Sequence, residues 1–123
     1  MQLSVRKINP GLRRELSGLL HKVLADIKDP EDFQAFLDSF FSKSELDLIT
    51  RRLGIVYLLT KKHTYAYIKK NLAVSSATVA NVARQLKLDE KTGLKIALDK
   101  IETDEWADRW AKKIGLVMKL GRD

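Results

Sequence analysis

One stretch of this 123-residue chain combines many bases with a complete lack of acids. Residues 48–88 contain no Asp or Glu, and they hold eight bases: Arg51, Arg52, Lys61, Lys62, Lys69, Lys70, Arg84 and Lys87. The whole chain has 23 Lys and Arg against 16 Asp and Glu, a net charge of +7, so the remainder is close to neutral. A positive surface confined to one segment is typical of proteins that bind the phosphates of nucleic acids.

Within this window, residues 64–88 have the pattern of two short helices joined by a tight turn. Thr64 and Ser75 are suited to cap the two helices, and residues 73–75 form the turn. Apolar residues fall where two crossing helices would meet, namely Ile68, Leu72, Val74, Val79, Val82 and Leu86. The pattern predicts a helix-turn-helix, whose second helix enters the major groove of DNA.

The outward positions of the second helix are small or polar, without an acid: Ser76, Ala77, Thr78, Ala80, Asn81 and Arg84. Small side chains let a helix approach the floor of the groove. Ala77 and Thr78 are suited to touch thymine methyl groups. Asn81 is suited to pair with adenine, and Arg84 with guanine or a phosphate.

The first helix and the turn complete this predicted DNA-binding motif. Lys69 and Lys70 are placed for backbone phosphates. The turn position that often holds glycine is Ala73, and a left-handed alanine costs on the order of 1 kcal/mol. The alternative interpretation of residues 64–88 is two packed helices that do not read DNA.

The rest of the chain is predicted to form further helices. Asn9-Pro10 and Asp29-Pro30 each join a capping residue to a proline suited to the first helical position. Residues 42–45 form an S-x-x-E capping box before a long helix with an apolar stripe that includes Ile49, Leu53 and Val56.

This organisation predicts one all-α domain, residues 1–123, because no pattern of period two persists. Residues 1–63 supply dimerisation and scaffold helices, and residues 64–88 the helix-turn-helix. Residues 89–123 supply carboxy-terminal helices, with Asp89 and Thr103 as caps.

Several function classes lack support in the sequence. The chain has no cysteine, and His21 and His63 lack a metal-ligand spacing, so we expect no metal site. No nucleophile elbow, Gly-rich phosphate loop or clustered acid–base pair occurs, so we expect no enzyme. No apolar run reaches membrane-span length and no signal-peptide core is present, so we expect a cytoplasmic protein without a membrane partner.

Residues 36–86 resemble the Trp repressor family. The resemblance rests on the 42–45 box, Arg52, Ile55-Val56, the Thr64 start, residues 68–72 and Ala77-Thr78-Val79. It implies an all-helical, intertwined homodimer in which the amino-terminal helices of two chains interlock. It also implies that Lys69 contacts a phosphate and that Ser76, Ala77 and Ala80 face the bases.

The same resemblance bears on a cofactor. In tryptophan-binding members, the corepressor lies between the long helix and the recognition helix, and an arginine at the position of Arg52 holds its carboxylate. A second arginine stacks on the indole, and a neighbouring glycine leaves room for the ring. Those two positions are Asn81 and Val82 here. We therefore expect no tryptophan corepressor or other cofactor, and we interpret Arg52 as a remnant of that pocket or as a structural or phosphate-facing base.

The leading hypothesis is a sequence-specific transcriptional regulator, a repressor, that binds double-stranded DNA as a homodimer. Its recognition helix, residues 76–86, would read an operator of two-fold symmetry. The alternative is a helical dimeric interaction module that no longer reads DNA and docks a partner through Trp106 and Trp110. Those tryptophans could instead pack onto the core of the dimer itself.

Overall fold

The computed structural model describes residue 3, residues 6–88 and residues 91–120, with side chains as far as residue 115. The described residues form six helices and no strand: α1 (Pro10–Asp26), α2 (Pro30–Phe40), α3 (Lys43–Thr60), α4 (Tyr65–Leu72), α5 (Ser76–Leu88) and α6 (Gly93–Leu120). The predicted all-α class is confirmed. The chain divides into two compact units, Met1–Leu46 and Asp47–Asp123. Its assignment to one domain of three functional segments stays a prediction.

The first two helices begin at the predicted caps. Asn9 Oδ1 accepts hydrogen bonds from the backbone N–H groups of Gly11 and Leu12, at 2.9 and 3.1 Å. Asp29 Oδ1 accepts a longer one, 3.4 Å, from the backbone N–H of Glu31. In both helices a proline follows the cap, where the missing N–H has no helical acceptor to lose.

The predicted capping box at the start of α3 is also confirmed. The backbone N–H of Ser42 donates to Glu45 Oε1 at 2.8 Å, and the backbone N–H of Glu45 donates to Ser42 Oγ at 3.1 Å. The bond from the Ser42 backbone is the main cause of a lowered pKa for the Glu45 carboxyl group. The charged form of Glu45 therefore contributes to this helix start.

Helices α1 and α2 bury no residue within the single chain. Their exposed large apolar side chains are Leu12, Leu16, Leu19, Leu20, Val23, Phe33 and Phe40. The rings of Phe36 and Phe40 stack with centroids 4.3 Å apart. An apolar surface of this extent is typical of a protein–protein contact.

The core of the second unit lies where α3, α4 and α5 meet. Its buried residues are Ile55, Val56, Ile68, Val79 and Val82. All six apolar positions predicted for the helix-turn-helix either belong to this core or pack against it. The predicted stripe of α3 is only partly correct, because Ile49 and Leu53 are exposed in the single chain, whereas Ile55 is fully buried.

The predicted pair of carboxy-terminal helices is wrong, because a single helix, α6, covers this region. Thr103 does not cap a helix: its Oγ1 donates to the carbonyl oxygen of Asp99, one turn earlier, at 2.7 Å. The predicted cap Asp89 lies outside the described residues. The observed cap is Thr92, whose Oγ1 accepts from the backbone N–H of Lys95 at 3.2 Å.

One side of α6 packs onto the core of the second unit, and another side is exposed. Leu94, Leu98 and Ile101 pack against that core. Trp106 and Trp110 are about half exposed, with ring centroids 5.7 Å apart. Helix α6 therefore supports the helix-turn-helix while presenting an aromatic surface elsewhere.

Candidate nucleic-acid interface

Helices α4 and α5 form the predicted helix-turn-helix, and side-chain hydroxyl groups cap both helices. Thr64 Oγ1 accepts from the backbone N–H of Tyr67 at 3.1 Å. Ser75 Oγ accepts from the backbone N–H of Thr78 at 3.1 Å and lies 2.7 Å from Thr78 Oγ1. The hydroxyl group of Thr78 is thus engaged at the cap, while α5 extends two residues beyond the predicted end at Leu86.

Helix α5 has one buried and one exposed side. Val79, Val82 and Ala83 are buried. The predicted base-reading residues are all exposed: Ser76, Ala77, Thr78, Ala80, Asn81 and Arg84. Lys69 and Lys70, the predicted phosphate contacts, are exposed on α4. The exposed side of α5 therefore has the small side chains that close approach to a groove requires.

Two of these exposed residues are bonded to each other. Arg84 Nη2 donates to Asn81 Oδ1 at 2.8 Å, one helical turn apart. The amide nitrogen of Asn81 and the other nitrogens of Arg84 are donors, so the pair is richer in donors than in acceptors. The sequence alone predicts a separate base contact for each residue and does not predict the bond between them.

The turn has left-handed backbone at Ala73, with φ 51° and ψ 50°. The backbone N–H groups of Ala73 and Val74 both point to the carbonyl oxygen of Lys69, which closes the carboxy-terminal end of α4. A residue of α3 also bonds to the turn: Arg51 Nη1 donates to the carbonyl oxygen of Ala73 at 3.0 Å. Arg51 Nε in turn lies 2.8 Å from Asp47 Oδ2.

The sequence predicts Arg51 as a residue of the scaffold helix, but it does not predict the contact of Arg51 with the turn. The ion pair between Asp47 and Arg51 could be predicted from the sequence, because the two residues have the i, i+4 spacing of a helical ion pair. The contact with Ala73 spans 22 residues and depends on how α3 crosses the motif.

Helix α3 approaches the end of α4 closely at Gly54. A Cβ atom at Gly54 would lie 3.0 and 3.1 Å from the two terminal methyl carbons of Leu72. These distances are shorter than ordinary van der Waals contact. The absence of a side chain at Gly54 therefore allows α4 to pack against α3.

An open groove of about 1100 Å³ lies between α3, α5 and the start of α6. Arg52 lines it from α3, and Asn81, Arg84 and Gln85 line it from α5. Gln85 was not among the predicted site residues, although it follows Asn81 by four positions and so lies on the same side of the helix. The exposed residues Ala77, Thr78 and Ala80 of α5 line the groove as well.

Comparison with known proteins assigns the family. A family model described as Trp repressor protein matches residues 15–102, well over half of the chain. The chain belongs to the Trp repressor family. It is also 28% identical over 92 residues to the uncharacterized protein YerC of Bacillus subtilis (strain 168), a match that covers 75% of this chain and 86% of that protein. No solved structure matches the chain.

Membership of the Trp repressor family supports a DNA-binding regulator. In the described part of the chain, no group of His, Asp and Glu side chains is placed to hold a metal ion. The helices of that same part include none with the length and apolar character needed to cross a membrane.

The groove also contains the positions that the family resemblance relates to a corepressor. Arg52 is exposed on its α3 wall. Asn81, which the resemblance relates to an arginine of the tryptophan-binding members, accepts a hydrogen bond from Arg84 Nη2. Val82 is only 3% exposed and belongs to the core. The expectation that the protein uses no tryptophan corepressor stays a prediction.

Proposed function

We propose that this protein is a sequence-specific DNA-binding transcriptional regulator, acting as a repressor. The observation that carries the proposal is the exposed side of α5, which combines small side chains with Asn81 and Arg84 and has no acid. Lys69 and Lys70 lie exposed on the preceding helix, where the motif places phosphate contacts. Membership of the Trp repressor family supports the same function.

We further propose that the regulator is a homodimer. The apolar side chains of α1 and α2, none of them buried in the single chain, favour this assembly because a second copy would remove them from water. A two-fold dimer presents two copies of α5. The operator would therefore contain two inverted half-sites about one helical turn of DNA apart.

We also propose that tryptophan is not a corepressor of this protein, so it does not change the affinity of the protein for DNA. Asn81 has no guanidinium plane to stack on an indole, and Val82 has a side chain where the family pocket needs space. Titration with tryptophan in the presence of operator should leave DNA affinity unchanged. A tenfold gain in affinity at millimolar tryptophan would contradict this proposal.

Selection of bound fragments from a random DNA library tests the main function. The expected result is enrichment of one symmetric sequence, which the protein binds more tightly than scrambled DNA. Equal binding of all sequences, or no binding at low salt, would overturn the proposal of sequence-specific recognition.

The salt dependence of operator binding tests the phosphate contact. The logarithm of the affinity should fall linearly with the logarithm of the salt concentration, with a slope near −0.9 per phosphate neutralised. Lys69→Ala should make this slope shallower by roughly 0.9 for each phosphate that is no longer neutralised, so by about twice that in a dimer. Lys112→Ala, which removes an exposed base from α6, is the matched control and should leave the slope unchanged.

A further inference from the structure

We propose that Arg51 and Asp47 form a positioning pair that holds the turn of the helix-turn-helix in the conformation needed for DNA reading. The inference rests on the proposed function and assigns Arg51 a role that its charge alone would not suggest. Arg51 belongs to the acid-free basic window, where a phosphate contact is the simplest expectation. Its guanidinium group instead contacts the protein, through Nη1 to Ala73 and Nε to Asp47.

The need for such a pair arises at Ala73. Its φ of 51° lies in the left-handed region, which disfavours any residue that carries a Cβ atom. Glycine enters that region freely, and it is the usual choice after the end of a helix. An alanine here weakens the preference of the turn for its native conformation. A tertiary bond to Ala73 itself offsets that loss.

The Arg51 bond meets this need directly. The carbonyl group of Ala73 lies just past the end of α4, outside the helical hydrogen bonds, and a cationic donor binds such an oxygen strongly. Arg51 Nη1 supplies that donor to the carbonyl oxygen of Ala73 at 3.0 Å. The bond fixes the peptide that follows Ala73 and so the direction in which the chain enters α5.

Asp47 orients the guanidinium group. Its Oδ2 lies 2.8 Å from Arg51 Nε, one helical turn earlier on α3. Because the guanidinium group is planar, fixing Nε also fixes the direction of Nη1. The Arg51 side chain is 40% exposed, so the pair gains its effect from geometry more than from Coulomb attraction.

The packing of Leu72 against Gly54 brings the end of α4 close to α3. Gly54, one turn after Arg51, lets the side chain of Leu72 approach α3 closely. Leu72 is the last residue of α4 and directly precedes Ala73. The end of α4 is thus held against α3 by Leu72 and by the carbonyl bond of Ala73 together.

Operator binding of Arg51→Ala, with and without Ala73→Gly, tests the inference. Arg51→Ala should weaken binding about five- to tenfold, since one charge-assisted hydrogen bond is removed at a partly exposed site. The salt slope should stay at the wild-type value because no phosphate contact is removed. Ala73→Gly should restore most of the affinity of Arg51→Ala, because glycine adopts the left-handed conformation without the bond.

Two controls make the result specific. Ala73→Gly alone should change affinity less than about twofold, because the wild-type turn is already held. Arg51→Lys keeps the charge but lacks the planar fork, so it should remain impaired, whereas a simple charge contact would be rescued. A salt slope lowered by about 0.9 or more in Arg51→Ala, or no restoration by Ala73→Gly, would overturn the inference.

A readout without DNA separates this inference from the proposed function. The backbone amide of Val74 should exchange with solvent faster in Arg51→Ala than in the wild type, and Ala73→Gly should slow that exchange again. If the wild type binds no DNA but this pattern holds, the proposed function fails and the positioning pair stands. If Arg51→Ala does not fold, Asp47→Asn provides a milder disruption of the same pair, and it should show faster exchange at Val74.

Discussion

Arg84 and Asn81 act as one hydrogen-bonded unit on the exposed side of α5, with Nη2 of the arginine 2.8 Å from Oδ1 of the asparagine. The bond occupies one lone pair of the asparagine carbonyl and leaves its NH₂ group as a donor. An asparagine that reads adenine alone needs both its carbonyl and its NH₂ group. The second lone pair of the Asn81 carbonyl stays free for adenine, while the remaining donors of the unit also suit edges rich in acceptors, such as the O6 and N7 atoms of guanine.

A double-mutant cycle at these two positions should show strong coupling in operator binding. Asn81→Ala and Arg84→Ala should each change base preference by about 1–3 kcal/mol at the positions they read. The double variant should lose less than the sum of the two, with a coupling energy of about 0.5–3 kcal/mol. Affinities for operators substituted at single base pairs provide the measurement. Strict additivity would show that the two residues read DNA independently.

The helix-turn-helix could be predicted from sequence because its signals are local. Thr64 and Ser75 cap helices within three residues of themselves, and the apolar spacing places Ile68 and Val79 in one core. The bond from Arg51 to Ala73 could not be predicted, because it depends on the crossing of α3 over the turn.

The wrong prediction of two carboxy-terminal helices in place of α6 has a different physical cause. A threonine oxygen can cap a helix or bond to the carbonyl one turn earlier within it, and both uses follow a similar sequence context. Thr103 makes the second kind of bond, to Asp99, and Thr92 the first kind, to Lys95. Helix α6 runs through Thr103 without a break, and Leu98 and Ile101, on the preceding turns, pack against the core.

Replacing Gly54 should destabilise the packing of α4 against α3. A Cβ atom at position 54 would lie only 3.0 and 3.1 Å from the methyl carbons of Leu72. The larger side chain of Gly54→Leu must therefore displace α4. Overpacking of this kind costs about 1–3 kcal/mol of unfolding free energy. Urea unfolding monitored by circular dichroism measures the change.

Gly115→Leu is the matched control for Gly54→Leu. Both glycines lie inside helices, but a Cβ atom at Gly115 meets nothing within 4 Å. The leucine should therefore stabilise α6 by about 0.5–1 kcal/mol through helix propensity. Equal stability changes at the two sites would show that the contact with Leu72 does not restrict position 54.

The ion pair between Lys61 and Glu105 should make stability depend on alkaline pH. The two side chains are 2.7 Å apart, and this hydrogen bond is the main cause of a raised pKa for the Lys61 ammonium group. A folded-state pKa above the unfolded value gives stability that is complete below the unfolded pKa of lysine. That stability is lost as the pH rises through the folded pKa.

Comparison of the wild type with Glu105→Gln isolates this effect. At neutral pH the wild type should have a higher melting temperature than Glu105→Gln. The difference between the two melting temperatures should shrink as the pH rises above the ordinary pKa of lysine. High salt should reduce the difference as well, because the pair is exposed. A difference that stays constant up to strongly alkaline pH would point to altered packing at Glu105 and not to the ion pair.

A charge on the apolar side of α1 should separate the proposed dimer. Leu16 is 44% exposed in the single chain and lies among the other exposed leucines of that helix. Burial of a glutamate against a second copy without a partner is unfavourable, so Leu16→Glu should shift analytical ultracentrifugation from dimer to monomer. Ser17→Glu adds the same charge at a polar position of α1 and should leave the dimer intact.

Dissociation of the dimer should weaken binding to a two-half-site operator far more than to a single half-site, because the second contact is then no longer intramolecular. A Leu16→Glu protein that remains dimeric would place the interface outside the apolar side of α1.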